Sequence, residues 1–303
     1  MTESKQAIAV EGLSKSYGSE LGVENVSFSV EGGEIFGFLG PNGAGKTTCI
    51  RLLLNLLRPD SGRITVLGRT LCPGEWRYKA RVGFLPGELS WWPLLTGLEL
   101  LEFFDRFSTQ PASLRAELLD GLGLDAALLD RKVRTYSKGT RRKLGIAIAM
   151  QNDPDLLVLD EPTSGLDPLV RHSFFEFCRR FRKAGKTVFL SSHNLAETNE
   201  ICDRVGIIRA GRIVALERMA ALRAKSTRRV EALFAERPRA QWFDCAGVDL
   251  IEIDGKRALL TCRGDPVPLL KVLAARPVRD LLVSPPALDD LFHSLFSDRG
   301  GRG

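Results

Sequence analysis

The sequence predicts an α/β fold: a parallel sheet covered by helices, a mainly helical subdomain, and a small C-terminal α+β domain. Three observations carry that prediction. Segments of strand and helix character alternate between residues 156 and 208, and a glycine-rich turn at 40–47 joins a short apolar strand to an apolar helix. The apolar run 156–159, in turn, ends on two adjacent acids. Alternation of this kind puts helices on the faces of a parallel sheet.

The elements follow in chain order. Residues 8–13, 23–30 and 34–39 read as strands, and 46–57 as a helix that stops before Pro59. Further strands fall at 64–67 and 81–85. From about 96 to 150 the chain is mostly helical, with pieces at 98–107, 114–121 and 138–150. Beyond it come a strand at 156–160, a helix at 168–184, a strand at 187–191, a helix at 195–202 and a strand at 205–208. Asp167-Pro168 marks a helix start, because Asp caps free N–H groups and Pro is tolerated in the first turn. Past Lys225 the character changes. Ser226-Thr227-Arg228-Arg229 is polar, and the proline-rich remainder has apolar runs at 248–253, 258–261 and 278–283 and amphipathic stretches at 265–275 and 288–296. The expected domains are 1–225, with its helical subdomain at about 88–150, and 226–303.

Composition narrows the class. Hydrophobic residues make up 44% of the 303, enough for an ordinary globular core. The 43 basic and 37 acidic residues are spread along the chain without a basic block, so no nucleic-acid partner is expected. No stretch approaches the roughly 18 consecutive apolar residues of a membrane-spanning helix. The N-terminus carries Glu3 and Lys5 and lacks the apolar region of a secretory signal, so a cytoplasmic location is expected. The six cysteines contain no C-x-x-C pair, which points to free thiols and away from a metal site.

Gly40-Pro41-Asn42-Gly43-Ala44-Gly45-Lys46-Thr47 satisfies G-x-x-x-x-G-K-[ST] between a strand and a helix, the context this pattern requires. Glycines let backbone N–H groups turn inward without Cβ clashes, forming an anion nest at a helix N-terminus. Lys46 is placed to contact the outer phosphates of a nucleotide, and the Thr47 hydroxyl to ligate Mg²⁺, with Thr48 beside it. Leu156-Leu157-Val158-Leu159-Asp160-Glu161 delivers two acids to the carboxyl edge of the sheet, where open α/β folds bind ligands. Successive strand residues point opposite ways, so the acids have different tasks: Asp160 suits the Mg²⁺ shell and Glu161 the activation of water.

Thr135-Tyr136-Ser137-Lys138-Gly139-Thr140 opens a helix shortly before that strand, which continues into Pro162-Thr163-Ser164-Gly165-Leu166-Asp167 and later Ser191-Ser192-His193. In this order, these segments resemble the nucleotide-binding domains of ABC ATPases over about residues 5–225. The tail, Pro285-Pro286-Ala287-Leu288-Asp289-Asp290-Leu291-Phe292, is similar more loosely to the extension of bacterial exporter-type members.

The resemblance implies a P-loop ATPase using ATP and Mg²⁺. It implies two copies meeting head to tail, with each ATP between the Gly40–Thr48 loop of one and Ser137 and Gly139 of the other. Glu161 would be the general base, His193 would hold the γ-phosphate and water in line, and Asp167 would lie along the dimer interface. Tyr17 matches the aromatic on which the family stacks adenine, although covering the sheet edge is an equally physical use of it. Hydrolysis would drive transport, as export, through a separate membrane-spanning permease, with this subunit peripheral on the inner face of the cell membrane. The alternative is a non-transport ABC ATPase acting on nucleic acid or ribosomes. One position departs from the pattern: Gly87, followed by Glu88, stands where many members place Gln, and neither is assigned as a ligand. Ser90-Trp91-Trp92-Pro93-Leu94-Leu95 lies where relatives receive a helix of the permease, and docking and core packing both remain open for it. Arg141-Arg142-Lys143 is expected to form a solvated helix face.

Overall fold

The computed structural model describes residues 6–18, 20–225 and 227–284; the amphipathic stretch at 288–296 and the tail motif at 285–292 lie outside the described residues. The chain divides into two units, Met1–Leu216 and Glu217–Gly303, a break that falls ahead of the 225/226 boundary expected from composition.

In the first unit, β1 (Gln6–Tyr17) and β2 (Glu20–Glu31) form an antiparallel hairpin. β3 (Ile35–Leu39) leads into α1 (Lys46–Leu53), followed by β4 (Ser61–Val66) and β5 (Arg69–Thr70). β6 (Val82–Leu85) precedes the helices α2 (Gly97–Asp105), α3 (Arg115–Gly121), α4 (Ala126–Leu129) and α5 (Lys138–Met150). Then come β7 (Leu156–Asp160), α6 (Pro168–Lys183), β8 (Thr187–Ser192), α7 (Leu195–Ile201), β9 (Arg204–Arg209) and β10 (Arg212–Arg218).

Among the described residues these strands make a four-stranded sheet, β2-β1-β4-β5, and a six-stranded sheet, β10-β9-β3-β8-β7-β6. From β9 to β6 the second sheet is parallel. Every residue of β3, β7 and β8 is buried. Strands covered on both faces need apolar residues throughout, which is why they read as unbroken runs. The register pairs Leu39 with Ser192 and Asp160 with Ser191, so three strands end together at one edge. Phe28 of β2 meets Phe36, Phe38 and Phe189 of the parallel sheet, with ring centroids 5.4–6.0 Å apart in stacked and tilted arrangements. Offset contacts of this kind suit aromatic quadrupoles and join the two sheets.

α1 ends earlier than its sequence pattern predicts. Asn55 takes a left-handed φ of +50° and its side-chain amide donates to the carbonyls of Cys72 (3.0 Å) and Glu75 (3.1 Å). Asn tolerates this conformation, and bonds to a distant loop override the local helical preference.

The second unit contains α8 (Met219–Lys225), β11 (Thr227–Phe234), β12 (Val248–Asp254), β13 (Arg257–Arg263), α9 (Val267–Ala274) and β14 (Val278–Val283). Its antiparallel sheet runs β12-β13-β11-β14 among the described residues. The polar segment after Ser226 is thus the start of a strand with neighbours on both sides, one that the sequence reading did not list. Val230, Ala232 and Phe234 point into this unit's own core with Leu260, Leu269 and Leu273.

Candidate active site

The shared strand edge gathers the chemistry. After Leu39 the chain turns through residues 40–45 into α1, with Gly43 and Gly45 at φ +77° and +104°. A Cβ on Gly40 would stand 2.3 Å from the Ile208 carbonyl oxygen, and one on Gly45 2.6 Å from that of Gly22, so only glycine fits either position. Such a turn directs N–H groups inward at a helix N-terminus, where an anion is favoured. Lys46 is only 6% exposed. Its Nζ donates to the carbonyls of Gly40 (2.7 Å) and Pro41 (3.2 Å) and lies 3.2 Å from Glu161 Oε1. A buried ammonium requires such partners, and phosphate oxygens would meet the same need.

The adjacent acids diverge. Asp160 Oδ2 accepts a hydrogen bond from Thr47 Oγ1 at 2.9 Å, and its Oδ1 accepts one from Ser191 Oγ. A hydroxyl beside a carboxylate oxygen is the kind of donor pair that Mg²⁺ uses when phosphates and water fill its other positions. Glu161 turns the other way, with its Oε2 2.8 Å from His193 Nδ1. Its Oε1 is buried and, among the described residues, accepts no hydrogen bond, although Lys46 Nζ stands nearby in ionic contact. Glu161 also holds a left-handed φ of +50°, and its N–H donates to Ser191 Oγ at 3.0 Å. A non-glycine residue in that region is strained and needs surrounding structure to keep it there.

These groups face a cavity of about 510 Å³. Tyr17, 43% exposed, stands on its wall with Glu20 and Leu21. Pro41, Asn42, Gly43, Ala44, Gly45, Lys46, Thr47 and Thr48 form one side, and Gly87, Glu88, Asp160, Glu161, Ser164 and His193 the other. Gly40 packs behind the loop against Ile208. The loop, the buried ammonium and the Thr47–Asp160 pair together fit a Mg²⁺–nucleotide. Gly87 lies so near that a Cβ there would be 3.0 Å from Asp160 Oδ2.

Ser137 and Gly139 are not on this wall. Ser137 caps α5, its Oγ accepting from the Thr140 N–H at 3.0 Å, and is exposed. Gly139 is partly buried at the start of the same helix, close to Gly165: a Cβ there would lie 2.9 Å from its carbonyl oxygen.

Arg142 requires a correction. It does not belong to a solvated face; it is 3% exposed beneath the acids. Its Nε donates to the Pro162 carbonyl (3.2 Å), Nη1 to Pro86 (2.7 Å) and Gly87 (3.2 Å), and Nη2 to Asp160 (2.6 Å) and Glu161. Burial pushes its pKa down to about 10 against the pull of Asp160 and Glu161, so it remains cationic at neutral pH. Ser191, which holds both acids, was likewise not assigned a role from sequence, although it opens the quoted Ser191-Ser192-His193 segment.

The family model for ABC transporters matches residues 23–164. Over 212 residues the chain is 42% identical to the Nod factor export ATP-binding protein I of Ralstonia nicotianae, covering 69% of this chain and 66% of that protein. The protein of the same name from Burkholderia orbicola is 38% identical over 286 residues, covering 92% and 93%. A solved ATP binding subunit of an ABC transporter superimposes with a TM-score of 0.67 at 30% identity, covering 72% of this chain and 92% of that one. The phosphate-loop geometry, the paired acids and the Burkholderia relative, matched over 93% of its length, lead to one conclusion: the chain belongs to the ABC transporter family, as an ATP-binding subunit.

Proposed function

We propose that this subunit hydrolyses Mg²⁺-bound ATP to drive export through a separate membrane-spanning permease, as two copies that enclose the nucleotide head to tail. The observation that carries this reading is the meeting of Lys46, Thr47, Asp160, Glu161 and His193 in one cavity while Ser137 stays exposed outside it. A second copy then brings Ser137 and Gly139, with the positive end of α5, to the γ-phosphate held by Gly40–Thr48 of the first. The outer phosphates would take over Lys46, and Thr47 and Asp160 would hold Mg²⁺, which would offset phosphate charge. Tyr17 stacks on adenine.

Glu161 is the general base. Water attacks the γ-phosphorus, its proton passes to the Glu161 carboxylate, the bond from that phosphorus to the β–γ bridging oxygen breaks, and ADP and phosphate leave. His193 steadies Oε2 of that carboxylate and the γ-phosphate. Proton transfer of this type contributes about 10²–10⁴-fold in rate. The nucleotide chemistry belongs to residues 1–225, and 226–303 form an accessory domain.

Export is supported by relatives named as export ATP-binding proteins. The permease is supported by an apolar groove of about 450 Å³ that includes Trp91, Trp92, Phe104 and Phe107. Trp92 (54% exposed) and Phe107 (65%) present ring surface there, as a hydrophobic docking site needs. Among the described residues no helix is long and apolar enough to cross a membrane. In this reading the permease holds the subunit on the inner face of the membrane. The test is affinity purification from detergent-solubilised membranes. A co-eluting protein with several membrane-spanning helices is the expected result; retention on nucleic acid or ribosomes without one would overturn the reading.

A further inference from the structure

We propose that Arg142 is a positioning residue for hydrolysis: its guanidinium holds the backbone turn at Glu161 and thereby keeps that carboxylate aimed at the attacking water. The inference rests on Glu161 acting as the base.

The argument begins with the direction of carbonyls. In an extended strand successive residues face opposite ways, so three consecutive carbonyl oxygens do not converge on one group. Here those of Asp160, Glu161 and Pro162 all do, each accepting from the Arg142 fork. The left-handed φ of Glu161, +50°, is what allows that convergence. The strained turn and the buried cation are therefore mutually dependent. Without the guanidinium, three clustered carbonyls lose their donor and Glu161 loses the reason to stay in a conformation that L-residues avoid. As φ relaxes, the carboxylate swings away from His193 and from the 2.8 Å contact that orients it.

The same guanidinium also reaches Pro86 and Gly87, the segment that closes the cavity beside Asp160. It sits in the second turn of α5, the helix capped by Ser137. One side chain thus joins the start of α5, the Glu161 turn and the residue 86–87 segment. Arginine suits this because it offers five N–H donors in a rigid planar fork. Lysine, a point cation on a flexible stem, cannot span carbonyls on both segments.

The experiment uses the full chain with Arg142→Lys and Arg142→Met, each alone and combined with Glu161→Gln. ATP affinity is read by calorimetry and turnover at saturating Mg²⁺–ATP. Arg142→Lys is expected to lower turnover about 100-fold, the cost of displacing a catalytic group by ~1 Å. ATP affinity should stay within about threefold, because the hydrogen bonds of Arg142 run to residues 86–87 and 160–162 and not to the phosphate loop. In the Glu161→Gln background the further loss should vanish, since Arg142 acts through that carboxylate. Turnover of Arg142→Lys close to the native value, a parallel loss of ATP affinity, or a loss that multiplies with that of Glu161→Gln each overturns the proposal. If Arg142→Met does not fold, Arg142→Lys decides; if neither folds, Arg142 is core structure and the positioning role is wrong. Unchanged turnover in Glu161→Gln alone would instead sink the assignment of the base.

Discussion

His193, proposed above to act at the γ-phosphate, shows how little such a residue need contribute to the fold. Its side chain is 59% exposed, and its recorded polar contact is with Glu161. His193→Ala is therefore expected to lower turnover by about 100-fold or more while leaving ATP affinity and folding near native values. Steady-state ATPase rates with calorimetric ATP titration check this; native-like turnover would remove His193 from the mechanism. Residues of the site differ in how readable they were. Gly40, Gly45, Lys46 and Thr47 sit in a fixed pattern between strand and helix, and Asp160 and Glu161 end an apolar run that becomes specific only alongside that loop. Arg142 could not be found that way. It stands between Arg141 and Lys143, and only the return of β7 and the 86–87 segment from distant positions in the chain makes its surroundings different from theirs.

The elements show the same contrast between local and distant causes. α5 and α6 follow their sequence patterns closely because Ser137 and Asp167 cap them locally, each accepting a backbone N–H in the first turn. α1 was over-extended because its end depends on Asn55 bonding to Cys72 and Glu75. β11 is not among the apolar runs expected past residue 225, because its opening, Thr227-Arg228-Arg229, is polar. The period-two set Val230, Ala232 and Phe234 was the available signal, one that a single short strand states weakly. α2 is closed by a reciprocal capping box: Thr96 Oγ1 accepts from the Glu99 N–H at 3.1 Å, and Glu99 Oε2 accepts from the Thr96 N–H at 2.7 Å. Thr96→Ala is expected to cost about 1 kcal/mol. It should appear as a lower urea midpoint at unchanged slope, with ATP affinity intact. Equal stability would mean that packing of Leu100 and Leu101, not the cap, holds this helix.

For the whole molecule, the account depends on a site that one copy leaves incomplete. The cavity gathers the phosphate loop with Asp160, Glu161 and His193, but no part of the Ser137–Gly139 turn. That turn is exposed at Ser137, at the positive end of a 13-residue helix, and does not line the cavity of its own chain. Triphosphate held between two copies would make ATP part of the interface, and hydrolysis would release it. The most direct measurement is the mass of Glu161→Gln by multi-angle light scattering, with and without Mg²⁺–ATP. The account expects a monomer without nucleotide and a stable dimer with ATP, reverting to monomer when Ser137 is replaced by a bulky arginine. A Glu161→Gln protein that binds ATP yet keeps the monomer mass, or that forms the same dimer with the Ser137 replacement, would contradict it.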